Sequence, residues 1–269
     1  MLGSLRTTAV LLAFLALTVI SSALSLRSQQ TGQAPHHSDS DLKEKSDKQK
    51  KKEEELRGQF PVVDYDAPDD LDPARLSKGK EKNKRFDKRN FVSEDPTPRA
   101  TEFARIIEGY DVPALPTSQS GLIITGEVLS SRAYLSNDKS GIYTELTVRI
   151  SEVIKNTLPG HPVPADVVMV QREGGIVRYN NGHQRLYHLA GEGMPMVGRQ
   201  YALFLRTMEQ AEDYYLLTAY ELSQSGVTSV DASQQFMTYE GYETDAFLDL
   251  VRAAVKHPEQ DLTTERRLK

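Results

Sequence analysis

The stretch IVRYNNGHQRLYHL (176–189) gathers more side chains capable of chemistry than any other part of the chain. Asn181-Gly182 is the favoured pair for a two-residue type I′ turn between antiparallel strands. With those residues as the loop, Asn180 faces His183, Arg178 faces Arg185 and Ile176 faces Tyr187. All six then share one side of the ladder, because residues two apart along a strand point the same way. Directly opposed arginines repel unless an anion sits between them. Arg178 and Arg185, with Tyr187, His183 and Asn180 beside them, therefore form the candidate ligand-binding group, suited to a carboxylate or phosphate. The competing reading is a solvated outer face, with each arginine reaching water or a carboxylate such as Glu173 or Glu192.

Elsewhere the search for chemistry is negative. The sequence holds no GxSxG, no HExxH, no Walker lysine and no EF-hand spacing, so no catalytic residue is assigned. GEGMPMVG lacks the glycine spacing of a dinucleotide loop and precedes a strand, which makes it a turn. Of the six histidines, His36 and His37 lie in a polar arm and His161 lies between Gly and Pro. His257 comes just after the terminal helix, where a positive ring suits the dipole. His183 and His188 are an odd number of residues apart, so on one strand they point to opposite faces and cannot share a metal. The absence of cysteine removes disulfides, thiolate metal sites, a cysteine nucleophile and a lipoprotein anchor. No metal and no cofactor is expected. A noncatalytic binding module is the preferred reading. The alternative is an envelope hydrolase or lyase with a dispersed site drawn from His183, His188, Glu173, Glu192 and Asp138.

The elements that would position these residues begin after a long approach. Residues 7–26 are uncharged and bracketed by Arg6 and Arg27. AVLLAFLALTVI fits a signal-peptide core, with the small residues Ser21, Ser22 and Ala23 directly after it. At about 1.5 Å per residue the whole segment also reaches roughly 30 Å, enough to span a bilayer as a retained anchor. Either way the expected location is exported: periplasmic, extracellular, or membrane-anchored through residues 7–26 with the C-terminal part outside the cytoplasm. Residues 27–100 are rich in Lys, Glu, Asp, Gln and Pro and read as a disordered charged tether, too polar to offset the entropy of ordering. TEFARIIEGY (101–110) reads as a short amphipathic helix with Phe103, Ile106, Ile107 and Tyr110 on one side, docked on the strand-rich region.

Residues 101–269 are expected to form one globular domain with its own core. Its larger part, 121–269, holds 14 basic and 19 acidic side chains, a balance that argues against nucleic acid as a partner. An anionic small molecule, a glycan or a protein remains. GLIITGEVLSS, IYTELTVRISEVIK, VVMVQRE, the 176–189 hairpin, GRQYALFLRTM and DYYLLTAYEL read as successive strands, with a bulge where the alternation slips at Glu152-Val153. TDAFLDLVRAAVKH then changes to a helical period, with Phe247, Leu248, Val251 and Val255 on one stripe and Thr244 as its cap. The predicted class is mainly β: a small antiparallel OB-like barrel or sandwich with a C-terminal amphipathic helix, preceded by the signal or anchor segment and the tether.

The GxV strand, the run GIYTELTVRISEVIKN, the strand end at Gly174-Gly175, the GEGMP loop and VGRQYALFL together resemble uncharacterised exported β-barrel proteins of soil bacteria such as acidobacteria. The resemblance covers about 121–222 and implies an OB-like outline and export. It brings no catalytic residue with it. The hairpin between the two glycine loops is longer and more polar here than that pattern implies.

Overall fold

In a computed structural model the described residues are 51, 54–67, 73–94, 102–105, 112–157, 162–208 and 213–257. The signal or anchor segment predicted at 1–26 lies outside them. Among the described residues, no helix is long and apolar enough to cross a membrane.

The β-rich part is built on long strands: β3 (Leu122–Leu135), β4 (Ile142–Asn156), β5 (Val167–Arg178), β7 (Gln200–Thr207) and β8 (Tyr214–Ser223). β3 pairs with β4, β4 with β5, β7 with β8 and β3 with β7, all antiparallel. The ring closes where β5 meets β8 in parallel at Val170↔Tyr214 and Gln171↔Tyr215. The result is a closed five-stranded barrel with a C-terminal helix, in a strand order compatible with an OB-like barrel. Curvature comes from bulges on the β3–β4 ladder, where Leu129, Ser151 and Ile154 are the unpaired extra residues. Two of them bracket the Glu152-Val153 slip in the sequence. Gly126 lies at the same bend: a Cβ there would sit 2.6 Å from the Arg149 carbonyl oxygen.

Alternation does the sorting. Ile124, Leu146, Val148, Val170, Leu203 and Leu216 fill the barrel interior. Ile123, Phe204, Leu217 and Tyr220 point outward and are covered by α3 (Thr244–Lys256) through Phe247, Leu248 and Val251. Each buried side chain of this size stabilises by roughly 1.5–3 kcal/mol. The cap of α3 is Glu243, whose carboxylate accepts from Ala246 N–H at 2.9 Å, and not the predicted Thr244. Thr244 instead donates its hydroxyl to the Ser223 carbonyl at 3.1 Å, which ties the helix start to the end of β8.

The tether reading is corrected over 54–67 and 73–94. A helical segment α1 (54–59) leads to β1 (Val62–Asp64), which adds in parallel to β5 at Val62↔Ile176. The end of α2 (Pro73–Lys84) and the turn after it lie on the barrel through Lys80, Lys82, Asn83 and Phe86. The reason is three aromatic anchors, Phe60, Phe86 and Phe91, each buried against the domain. Average composition hides them, yet each buries as much apolar area as a core residue. The amphipathic helix expected at 101–110 is likewise corrected. Residues Glu102–Arg105 form β2, in parallel with β6 (Gln184–Leu189), and Ile106, Ile107 and Tyr110 lie outside the described residues. Four residues cannot express a helical stripe against a vacant strand edge that offers backbone partners.

Candidate functional site

The predicted arginine pair does not meet. Tyr179 N–H donates to the His183 carbonyl and Gly182 N–H to the Tyr179 carbonyl, both at 2.9 Å, with Gly182 left-handed at φ 81°. That is a three-residue loop, Asn180-Asn181-Gly182, closed by a glycine bulge rather than a two-residue type I′ turn. One extra loop residue shifts the register to Val177↔Arg185 and Arg178↔Gln184 and turns the arginines to opposite faces. Arg178 is exposed and forms a bidentate pair with Asp64, its Nη2 at 2.9 Å. Asn180 donates to Asp66, and His183 is exposed. Arg185 is buried with its guanidinium 5.9 Å from the Tyr187 ring. The anion grip is withdrawn: strand β1 and the turn after it, which composition alone assigns to the tether, occupy the Arg178 and Asn180 face.

The residues of the enzymatic alternative are also dispersed. His188 is buried, with Nε2 2.7 Å from Glu102 Oε1 and Nδ1 2.9 Å from the Leu189 carbonyl, while His183 sits in solvent. Glu173 accepts from Arg105 Nη2 at 2.6 Å; burial pushes its carboxyl above the usual range despite that arginine. Asp138 lies in the β3–β4 turn, bonded to Ser136, Ser140 and Lys88 rather than to either histidine. Slight burial acts against its charge, but hydrogen bonds from Ser140, Lys88 and Ser136 hold it well below the usual carboxylate range. No group of three or more His, Asp or Glu able to hold a metal occurs among the described residues.

Glu192 belongs to a buried knot at one end of the barrel. Arg172 of β5 is fully buried, with Nη2 2.7 Å from Asp231 and Nε 3.1 Å from Glu192. Asp231 also receives the Thr218 hydroxyl at 2.8 Å and Gly193 N–H at 3.1 Å. Burial raises the Glu192 carboxyl, and the Arg172 charge opposes that shift. Glu192, Asp231, Arg105 and Ser233 line a half-open cleft of 80 Å³. That holds a few waters and falls short of an organic substrate. The knot closes the barrel end.

The outer face of β4–β5 differs. The outward residues of β4 are Tyr143, Glu145, Thr147 and Arg149; opposite them on β5 stand Glu173, Gln171, Met169 and Val167. The β3–β4 loop (136–141) stands at the Tyr143 end of this face, and Asp213, just before β8, lies beside Gln171. Residues 80–92 of this same chain lie on that face. Lys82 Nζ is 3.0 Å from Glu145 and 3.2 Å from Asp213, and Gln171 Nε2 donates to both acids at 3.2 and 3.1 Å. Arg85 reaches Asp213 at 3.6 Å. Phe86 stacks on Tyr143, centroids 4.1 Å apart and planes within 10°, and Tyr134 flanks Tyr143 at 5.6 Å. Burial lowers the Lys82 pKa, but the bonds and charges of Glu145 and Asp213 outweigh it and raise it overall. Burial, then the Glu145 charge, raises the Tyr143 phenol.

The loops grip the backbone of the segment. Asn137 donates to the Lys80 carbonyl at 2.8 Å, Asp138 accepts from Lys88 N–H at 2.7 Å, and the Ser140 carbonyl accepts from Phe91 and Val92 N–H at 2.8 and 2.9 Å. Gly141 permits the approach, since a Cβ there would lie 2.3 Å from the Phe86 carbonyl oxygen. The segment ends on Tyr187, whose hydroxyl accepts from Ser93 N–H at 3.3 Å. Of the predicted ligand-binding residues, Tyr187 therefore touches this occupied groove. Sequence reasoning misses Glu145, Asp213, Gln171 and Tyr143, because their partners lie roughly 60 to 130 residues away in a segment whose composition suggests a tether. The signal present is Lys-x-x-Arg-Phe at 82–86, an aromatic within an otherwise polar run.

No family model, no curated protein and no solved structure matches the chain.

Proposed function

We propose that this chain is a noncatalytic binding module, exported or membrane-tethered, whose ligand is a segment of polypeptide held on the outer β4–β5 face. The observation that carries this reading is that the face already recognises polypeptide, through Glu145 and Asp213 for cations, Tyr143 for an aromatic ring, and the 136–141 loop for backbone. Its acids make it a poor surface for phosphates, which agrees with the excess of acidic residues over 121–269. The protein partner is therefore preferred over an anionic small molecule or glycan. Export rests on the apolar segment at 7–26 and on the resemblance to exported barrel proteins.

The test is an array of immobilised peptides, acidic glycans and oligonucleotides probed with the full chain and with the Glu145→Gln/Asp213→Asn variant. Peptides should be retained and the double variant should retain at least tenfold less. Retention of glycans or oligonucleotides alone, or retention indifferent to both substitutions, would refute the reading. For the location, residues 1–60 fused to an export-dependent reporter should give an active reporter; a silent reporter on a stable fusion would remove that part.

A further inference from the structure

Three features set residues 80–92 apart from an ordinary structural strap. Beside their two aromatic anchors the polar contacts are partly wet: the Lys82 and Arg85 side chains stay 29% and 27% exposed, whereas their acids Glu145 and Asp213 are 9% and 7% exposed. Ion pairs whose cation stays in reach of water hold weakly, so the apolar hold on this segment is confined to Phe86 and Phe91. Their backbone is strained. Among the described residues four non-glycine positions are left-handed, and three of them sit at this contact: Lys88 at φ 60° and Asn90 at φ 50° on the segment, and Lys139 at φ 57° on the loop that grips it. Such conformations carry backbone strain and gather at clamps and switches. Finally, the segment fills only part of the face. The rows Thr147–Met169 and Arg149–Val167 continue the same surface beyond it, with Met169 half-buried and Val167 54% exposed.

From these we infer that residues 80–92 are a resident ligand in cis, and that the partner in trans is a basic peptide segment carrying an aromatic residue, of the Lys-x-x-Arg-Phe type, which displaces them. The inference rests on the proposed binding face and goes further by naming what binds there and what must leave. Charge complementarity selects the partner: two acids flank a glutamine that points its amide at both, so a lysine or arginine completes the set while an acidic peptide adds repulsion. The Tyr143–Tyr134 shelf accepts the planar ring at stacking distance. The uncovered rows offer a competing peptide an initial foothold and apolar contact that the resident segment does not use. Occupation in cis lowers the apparent affinity by the fraction of molecules that are open, which keeps weak basic peptides out.

The experiment uses a fluorescein-labelled synthetic peptide of residues 78–94, titrated by anisotropy into the full chain and three full-length variants. Lys82→Ala/Arg85→Ala loosens the resident segment and should bind the peptide at least tenfold more tightly than the unmodified chain. Lys88→Gly keeps the backbone bond to Asp138 but relieves the left-handed strain, fastens the segment and should bind more weakly. Glu145→Gln/Asp213→Asn should not bind. Amide exchange in 82–92 of the unmodified chain should run well ahead of exchange in β4. Affinity indifferent to loosening and fastening, or exchange in 82–92 only as fast as that of β4, overturns displacement while leaving the face as a binding surface. Peptide binding that survives the double acid substitution overturns the face itself. Each variant is checked by far-ultraviolet circular dichroism. Should the double alanine variant unfold, the Lys88→Gly titration and the exchange measurement still decide.

Discussion

Two clusters in this protein have nearly the same formal make-up and different settings. At the barrel end, Arg172 sits between Asp231 and Glu192; on the outer face, Lys82 sits between Asp213 and Glu145. In the first, every member belongs to the β-rich part beyond residue 121, the cation has no exposed surface, and Thr218 and Gly193 N–H complete the coordination of Asp231. In the second, the acids belong to the barrel but the cation arrives on a separate stretch of chain and remains partly hydrated. A cation that cannot leave without unfolding the barrel is a lock. One that can lift into water, taking its charge with it and letting solvent reach the acids, is a dock. The difference lies in covalent placement and desolvation, not in residue type.

The largest effect expected from this contrast is at the lock. Arg172→Met leaves Asp231 buried without a counter-charge, and removal of one partner from a buried pair costs about 3–5 kcal/mol. Urea unfolding of the full chain measures it. A loss below about 1 kcal/mol would erase the distinction between the two clusters.

Titration sharpens the same point. Glu192 holds its proton more tightly folded than unfolded, because burial outweighs the Arg172 charge. The stability from that bound proton is complete below the unfolded carboxyl's value of about 4.5 and is lost as pH rises through the raised folded value. Glu192→Gln stays neutral throughout. The stability of the variant relative to the parent chain should therefore rise from pH 4 toward neutrality. A flat or falling difference in urea midpoint between those limits would show that Arg172, not burial, sets the state of Glu192.

The smallest effect is expected at the dock. Lys82→Met should change global stability by no more than about 1 kcal/mol, since the acids it leaves can hydrate once the segment lifts. Tryptic cleavage among Lys84, Arg85, Lys88 and Arg89 should accelerate several-fold in the same variant, with the barrel intact. A large drop in global stability without a change in cleavage would make this cluster a second lock.

Much of the barrel was legible because alternation is local. Ile124, Leu146, Val148 and Leu203 declare their faces within a few residues of sequence, and the Glu152-Val153 slip marks the bulges at Ser151 and Ile154. The stripe of α3 is equally plain; its cap lies one residue before the expected threonine, because Glu243 caps with a longer side chain than the usual Ser or Thr. The candidate binding surface was not legible. Asn-Asn-Gly supports either a two-residue or a three-residue loop, a difference of one residue that separates Arg178 from Arg185. The acids of the outer face look like any strand carboxylates until their partners are in place.

A mainly β chain with a closing helix is readable from the residue order alone, because period-two and period-3.6 patterns arise from the directions in which successive side chains leave the backbone. The sequence also excluded thiol chemistry and weighed against nucleic acid, since composition and charge need no coordinates. It takes the folded barrel to show that Phe86 and Phe91 pin a lysine-rich stretch against it, and that Tyr143, Glu145, Gln171 and Asp213 form one surface. Those contacts join residues far apart in the chain. Whether a polar segment stays in water or lies down on a barrel depends on a few aromatic anchors finding a complementary face, which exists only once the strands have closed.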